Sequence, residues 1–222
     1  MSWLFFAILS YFIAAIVGVL DKVILSKDSF IPKPAIYATY VGLTGIYALF
    51  LIPFGFDWKG LRENPILIFL ALLSGFVWVF FLIPLYHAVR KTEVSRVGPL
   101  VGVFTAVFTL GLSFLFLGER FNDYQLFSFV LLIAGAYLIS SRNFNWREYP
   151  LSVLGLCAAG AFLLAASFVL IKFVYLNTNF LNGFIMGRMG EFLAGIFLFL
   201  IPQKGAAVKE HFRAIKIKTV GL

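Results

Sequence analysis

Seven stretches of this chain are apolar for about the 20 residues that a helix needs to cross a bilayer. They cover about 3–21, 35–55, 65–88, 94–117, 124–140, 151–174 and 180–202, with short polar loops between them. In hydrocarbon every backbone N–H and C=O must be satisfied within the protein, so only helices and closed barrels span. The runs lack the alternation of barrel strands, which leaves helices. The chain is 62% hydrophobic and only 13% charged, against about 45–50% apolar residues in a soluble domain. Too few polar residues are present to cover a water-facing surface. The sequence therefore predicts an all-α integral membrane protein with seven transmembrane helices, multi-pass in a cell (plasma or inner) membrane, with the lipid bilayer as its first partner.

Other classes fall away. A single cysteine, Cys157, excludes an internal disulfide and a cysteine-cluster metal site, and reads as packing. His87 and His211 match no metal spacing, so no metal and no cofactor are expected. The net charge of +8 fits basic loops near anionic lipid better than nucleic acid. The first run lacks the basic leader of a signal peptide and is long enough to span. There is no GxxxxGK[ST] loop for ATP and no HExxH helix for hydrolysis, so an enzyme is not expected.

The sequence repeats itself. LFLIP occurs at 49–53 and again at 198–202, an offset of 149. The first and sixth spans align at an offset of 150, pairing Phe12 with Phe162, Ala15 with Ala165 and Lys22 with Lys172. Five spans separate the copies, and an odd number inserts the second upside down. Inverted repeats build secondary transporters, with the solute site near the midplane between the halves. The division expected is a first unit at 1–142 with five helices, and a partial second unit at 151–222 with two helices and a basic tail. Against a full duplication about 75 residues and three helices are lacking, so the expectation is a truncated chain or one that needs a partner.

The stretch 95–139 carries the most specific signal. It contains Pro99 and Leu100, then Leu117, Gly118, Glu119 and Arg120, Gln125 six residues past the glutamate, and Gly135 in the next apolar run. This pattern resembles the EamA domain of the drug/metabolite transporter superfamily. Thr105–Ala106 stands where that family often has a proline, and Ser128 where it often has glycine. The resemblance implies a 5+5 inverted-repeat fold of which this chain is a seven-span portion. It implies secondary transport, with export as the expected direction, of a small metabolite or amphipathic solute by alternating access, with a proton or counter-ion as a candidate partner. The alternative is a truncated, non-transporting helical fragment or scaffold that needs a partner chain or forms a homo-oligomer.

Candidate site residues follow from polar groups inside spans. Arg188 and Glu191 lie near the middle of 180–202, where a charge costs roughly 2.5–3.5 kcal/mol on insertion scales. Three residues apart, they share a face and can pair. Either they neutralise each other and pin the helix, or Arg188 holds an anionic group and Glu191 a cation or proton. The glycines at 183, 187 and 190 with Ala194 let a partner helix come close. In the repeat Arg188 answers to Thr39 and Glu191 to Gly42. Tyr37, Tyr40, Thr44 and Tyr47 form one stripe on the second span. Gly98, Gly102, Thr105, Thr109 and Ser113 form another on the fourth. Their hydroxyls can line a cavity or bond backbone carbonyls and draw helices together. Trp78, with Ser74 on its face, can stack on a solute ring or pack. Glu119 and Arg120 read as a membrane exit, with Asp123 as a cap for the fifth span.

Charge leaves orientation open. Of the 18 lysines and arginines, 13 follow odd-numbered spans and four follow even-numbered ones. The positive-inside rule then puts the N-terminus outside, whereas the family resemblance implies inside. Five of the 13 lie in the tail, where Lys209, Arg213 and Lys216 share a helical face that could lie on anionic lipid but reads more simply as a polar loop.

Overall fold

The computed structural model describes residues 2–25, 34–92, 94–141 and 151–201. The tail after 201, with His211 and its basic face, lies outside the described residues, as do residues 142–150. The described chain is helical throughout: α1 Ser2–Ile24, α2 Pro34–Leu43, a 3₁₀ segment Thr44–Phe54, α3 Trp58–Glu63, α4 Pro65–Lys91, α5 Val94–Leu117, α6 Asp123–Ser141, α7 Leu151–Asn177 and α8 Phe180–Leu200. Six of the seven expected spans are long and apolar enough to cross a membrane. The other is α6, of which Asp123–Gly135 is a shorter apolar stretch. The all-helical membrane fold read from the sequence is the fold observed.

Two local features were not anticipated. The second span is not one α-helix: it changes to 3₁₀ winding at Thr44 and keeps it for 11 residues. Such runs rarely exceed 3–4 residues. Pro53 removes a donor inside the segment. The tighter coil rises about 2.0 Å per residue against 1.5 Å, so the two pieces together still cross. The polar loop after it holds α3, whose cap is Asp57 accepting from Gly60 N at 3.1 Å.

Contacts fix the helix directions. Lys22, at the C-terminal end of α1, donates to the carbonyls of Val89 and Thr92 at 2.6 and 2.7 Å. It thereby satisfies orphan carbonyls at the C-terminus of α4 and complements that helix's dipole. Gly160, in the first half of α7, packs on Phe81, Pro84 and Leu85 in the second half of α4. So α1 ends where α7 begins, and the two copies of the first repeated helix run in opposite senses. The second pair does too: Gly42 lies against Gly195, Gly45 against Arg188 and Phe192, and Asp57 bonds Asn182. Thus α2 and α8 are antiparallel neighbours.

The centre of the bundle is α4, which packs against α7, α8 and α2. Close approach decides where α8 sits. A Cβ on Gly45 would overlap the carbonyl oxygen of Arg188, and one on Gly75 the carbonyl oxygen of Gly187. Absent side chains on α2's extension and on α4 therefore let the α8 backbone lie between them. In contrast α1 makes few contacts, with α4, α5 and, through Asp21, Tyr37 of α2, and shows its large apolar side chains outward, as a lipid-facing helix does.

The packing yields a paired expectation. Gly75→Ala must push α4 from α8 and should lower stability by about 1–3 kcal/mol, the usual range for overpacking. Gly98→Ala meets nothing within 4 Å and should be neutral or gain up to about 1 kcal/mol from helix propensity. Thermal unfolding of the two variants in one nonionic detergent checks this, and equal losses would refute the close approach.

Candidate functional site

The first turn of α8 is set by two asparagines. Asn179 caps it, its Oδ1 accepting from Asn182 N at 2.7 Å. Asn182 is buried, and its amide grips the chain after the 3₁₀ segment. It accepts from Asp57 N at 2.8 Å and donates to Asp57 O at 3.1 Å and to Thr178 Oγ1 at 3.0 Å. This clamp, with the glycine contacts, fixes both the rotation and the depth of α8. Arg188 and Glu191 then fall two to three turns in from its N-terminus.

The pair is made. Arg188 Nη1 donates to Glu191 Oε2 at 2.6 Å. The two members are not equally placed: the glutamate side chain is 10% exposed and the arginine side chain 39%. The guanidinium carbon lies 5.3 Å from the centre of the Phe184 ring and 5.9 Å from that of Trp78, within cation–π range. Behind Glu191, Gly42 packs on its carbonyl. The charge is thus held from one side by its own helix and from the other by an aromatic ring of α4.

A cavity of about 170 Å³ opens beside the guanidinium between three helices. From α4 come Ser74, Gly75 and Trp78, from α7 Ser167, Phe168, Ile171 and Tyr175, and from α8 Gly183, Phe184 and Gly187 with the charged pair. A larger apolar cavity of about 390 Å³ lies between α4, α5 and α7, lined by Leu70, Leu112, Phe116, Leu117 and the α7 stretch from Phe162 to Phe173. It offers no polar side chain to orient a ligand, and in a bilayer it is a place for hydrocarbon.

The structure brings three expected site residues together at the polar cavity: Arg188, Glu191 and Trp78, with Ser74 beside them. The others lie elsewhere. Thr39 is fully buried but donates to Ala35 O at 2.9 Å, and Thr44 donates to Val41 O at 2.6 Å, so both hydroxyls serve their own helix. Tyr40 is half-buried on α2, and Tyr47 is exposed with its ring near Phe50. Tyr37 donates to Asp21 at 2.6 Å. The hydroxyls of Thr105 and Thr109 on α5 are buried with no partner among the described residues, apart from the cavity. Sequence reading passed over Ser167, Tyr175 and Phe184. A hydroxyl inside the apolar α7 run was the available signal for Ser167. For Phe184 the available signal was its spacing four residues before Arg188 on the same helix.

The motif 117–125 resolves into separate structural tasks. Gly118 takes φ +64°, the left-handed conformation that ends α5. Glu119 pairs with Lys172 of α7 at 2.6 Å. Gln125 and Asn122 form a reciprocal capping box, Asn122 N to Gln125 Oε1 at 3.0 Å and Gln125 N to Asn122 Oδ1 at 2.8 Å. The cap of α6 is therefore Asn122, and Asp123 sits in the first turn. Arg120 is exposed, Leu117 lines the apolar cavity, and Gly135 has open space around it.

Residues 1–141 match the profile of the EamA-like transporter family. No curated protein and no solved structure matches the chain.

The unequal burial of the pair orders two substitutions. Arg188→Ala strands the nearly buried carboxylate. It should cost roughly 2 kcal/mol, below the 3–5 kcal/mol of a fully buried pair because the site is partly open. Glu191→Gln leaves a guanidinium that already reaches the cavity, and should cost less than half as much. The double variant should regain much of the Arg188→Ala loss. Chemical unfolding in detergent measures all three, and the reverse ranking would refute the assignment of burial.

Proposed function

The chain belongs to the EamA-like transporter family, a family of multi-pass membrane proteins that move small solutes, and from that premise we propose that it is a secondary transporter working by alternating access at the Arg188 cavity. The family points to a non-enzymatic transporter. Its helices place it in the bilayer, and the cell membrane is the location proposed. The cargo is a small metabolite or amphipathic solute, and export is the direction that the family implies. A proton or counter-ion is the proposed coupling partner. The units proposed are 1–142 and 151–222.

One observation carries this reading. An ionic pair sits inside the bundle at a polar cavity lined by helices of both proposed units, α4 from the first and α7 and α8 from the second. Charges within spans almost always face a bundle interior or a wet cavity, and mark solute or ion pathways. The opposed directions of α1 against α7, and of α2 against α8, supply the symmetry on which rocking of one unit against the other depends.

A second reading rests on α1. Its repeat partner α7 packs along α4 and α5, whereas α1 leaves the corresponding length uncovered. Helices of a partner chain, or a second copy, would complete that side, and the chain alone would then be a scaffold.

Cysteine accessibility separates the two. Cys157 is buried and free, so Cys157→Ser with Ser74→Cys places one thiol at the cavity. An impermeant maleimide should label it in right-side-out and in inside-out membrane vesicles, without dye leakage. Labelling from one side alone, or from neither, would sink alternating access by this chain.

A further inference from the structure

Resting on the reading of the Arg188 cavity as the solute site, we propose that it takes a small planar aromatic anion, held by the guanidinium and stacked against the rings beside it. Charge presentation comes first. Glu191 is 10% exposed and already engaged, so it is a poor handle for a cationic solute. Arg188 is 39% exposed and uses one of its five N–H donors, Nη1, on the protein. What the cavity meets is therefore a cation with donors to spare. A guanidinium fork matches carboxylate or sulfonate oxygens, and such bonds are roughly twice as strong as neutral ones.

Shape comes second. Trp78 and Phe184 flank the guanidinium from two different helices. Phe184 continues into a ladder of near-parallel rings: 5.7 Å and 25° to Phe180, then 5.3 Å and 25° from Phe180 to Tyr175. Phe180 opens α8 and is 64% exposed, so the ladder runs from the rim of the bundle to the charge. Rings presented in this way favour a flat, π-bearing solute over an aliphatic one of equal size. The volume of about 170 Å³ suits a single ring with one charged substituent, being below the 300–1,000 Å³ typical of drug-sized ligands. Glu191 stays paired with Nη1, which restrains the arginine at the cavity wall.

Equilibrium dialysis of the purified full chain in nonionic detergent tests this with simple probes at one ionic strength. Benzoate and benzenesulfonate should bind, with benzylammonium and cyclohexanecarboxylate each about tenfold weaker or more. Arg188→Gln should lose benzoate binding by at least about tenfold. Trp78→Leu keeps the charge, and should bring benzoate and cyclohexanecarboxylate to within about threefold of each other. Benzylammonium binding as tightly as benzoate, or benzoate binding unchanged in Arg188→Gln, overturns the proposal. The selectivity among probes is read on the unaltered protein, so a poorly folding variant leaves it decisive. Failure here with two-sided labelling intact removes the aromatic anion and keeps the transporter. Binding as expected with one-sided labelling keeps the ligand and removes the transport cycle.

Discussion

The placement of α8 between α2 and α4 is the constraint on which the rest depends. That helix carries two charges in the middle of an apolar run, and a bilayer will not solvate them cheaply. They are tolerated because the backbone of α8 can sink into the bundle, and it can sink only where facing helices lack side chains, at Gly45 and Gly75. Without those gaps Arg188 and Glu191 would stand at the lipid boundary, and the ring of Trp78 would be out of reach. Packing by absence and pairing by charge are thus one arrangement. The same contact falls at the start of the 3₁₀ winding of the second span, where Gly45 is pressed on Arg188's carbonyl.

The motif that marks the family has a mechanical meaning in this chain. Its glycine ends α5, its glutamate ties the end of α5 to Lys172 of α7, and its glutamine closes the cap that starts α6. None of these lines the polar cavity. The motif therefore shapes the turn between α5 and α6, and the polar cavity lies outside it.

Much of this was legible in the order of residues, for a physical reason. Span length is set by bilayer thickness, so apolar runs announce themselves, and the repeated LFLIP with the matched first and sixth spans gave the opposed directions of α1 and α7. Arg188 and Glu191 were legible because charge in hydrocarbon is an exception that needs a partner. The rest depended on rotation about helix axes. Thr39 and Thr44 are polar residues on a plausible face, yet each bonds a carbonyl one turn back. A threonine in an apolar helix always has that alternative, and sequence cannot say which it takes. Asn182 is the converse: it looks like a loop residue, and proves to be a fully bonded clamp between distant segments.

The polar ties that hold the bundle are unequal in strength. At the end where α8 begins, the buried amide of Asn182 makes three bonds, and at the same end Glu119 meets Lys172 in an open setting, the lysine side chain 47% exposed. A neutral hydrogen bond contributes about 0.5–1.5 kcal/mol net, more in cost if a buried partner is orphaned. An exposed ion pair gives about 0–1 kcal/mol. The asparagine clamp is therefore the stronger tie, and it joins α8 to the segment after the second span. At the opposite end Lys22 and the Tyr37–Asp21 bond join α1 to α4 and α2, all within the first proposed unit. Two ties that cross between the proposed units, Asn182 to Asp57 and Glu119 to Lys172, lie at the end where α8 begins. The charged cavity lies in the half of the bundle nearer that end, so the clamp that fixes the start of α8 also fixes the depth of Arg188 and Glu191.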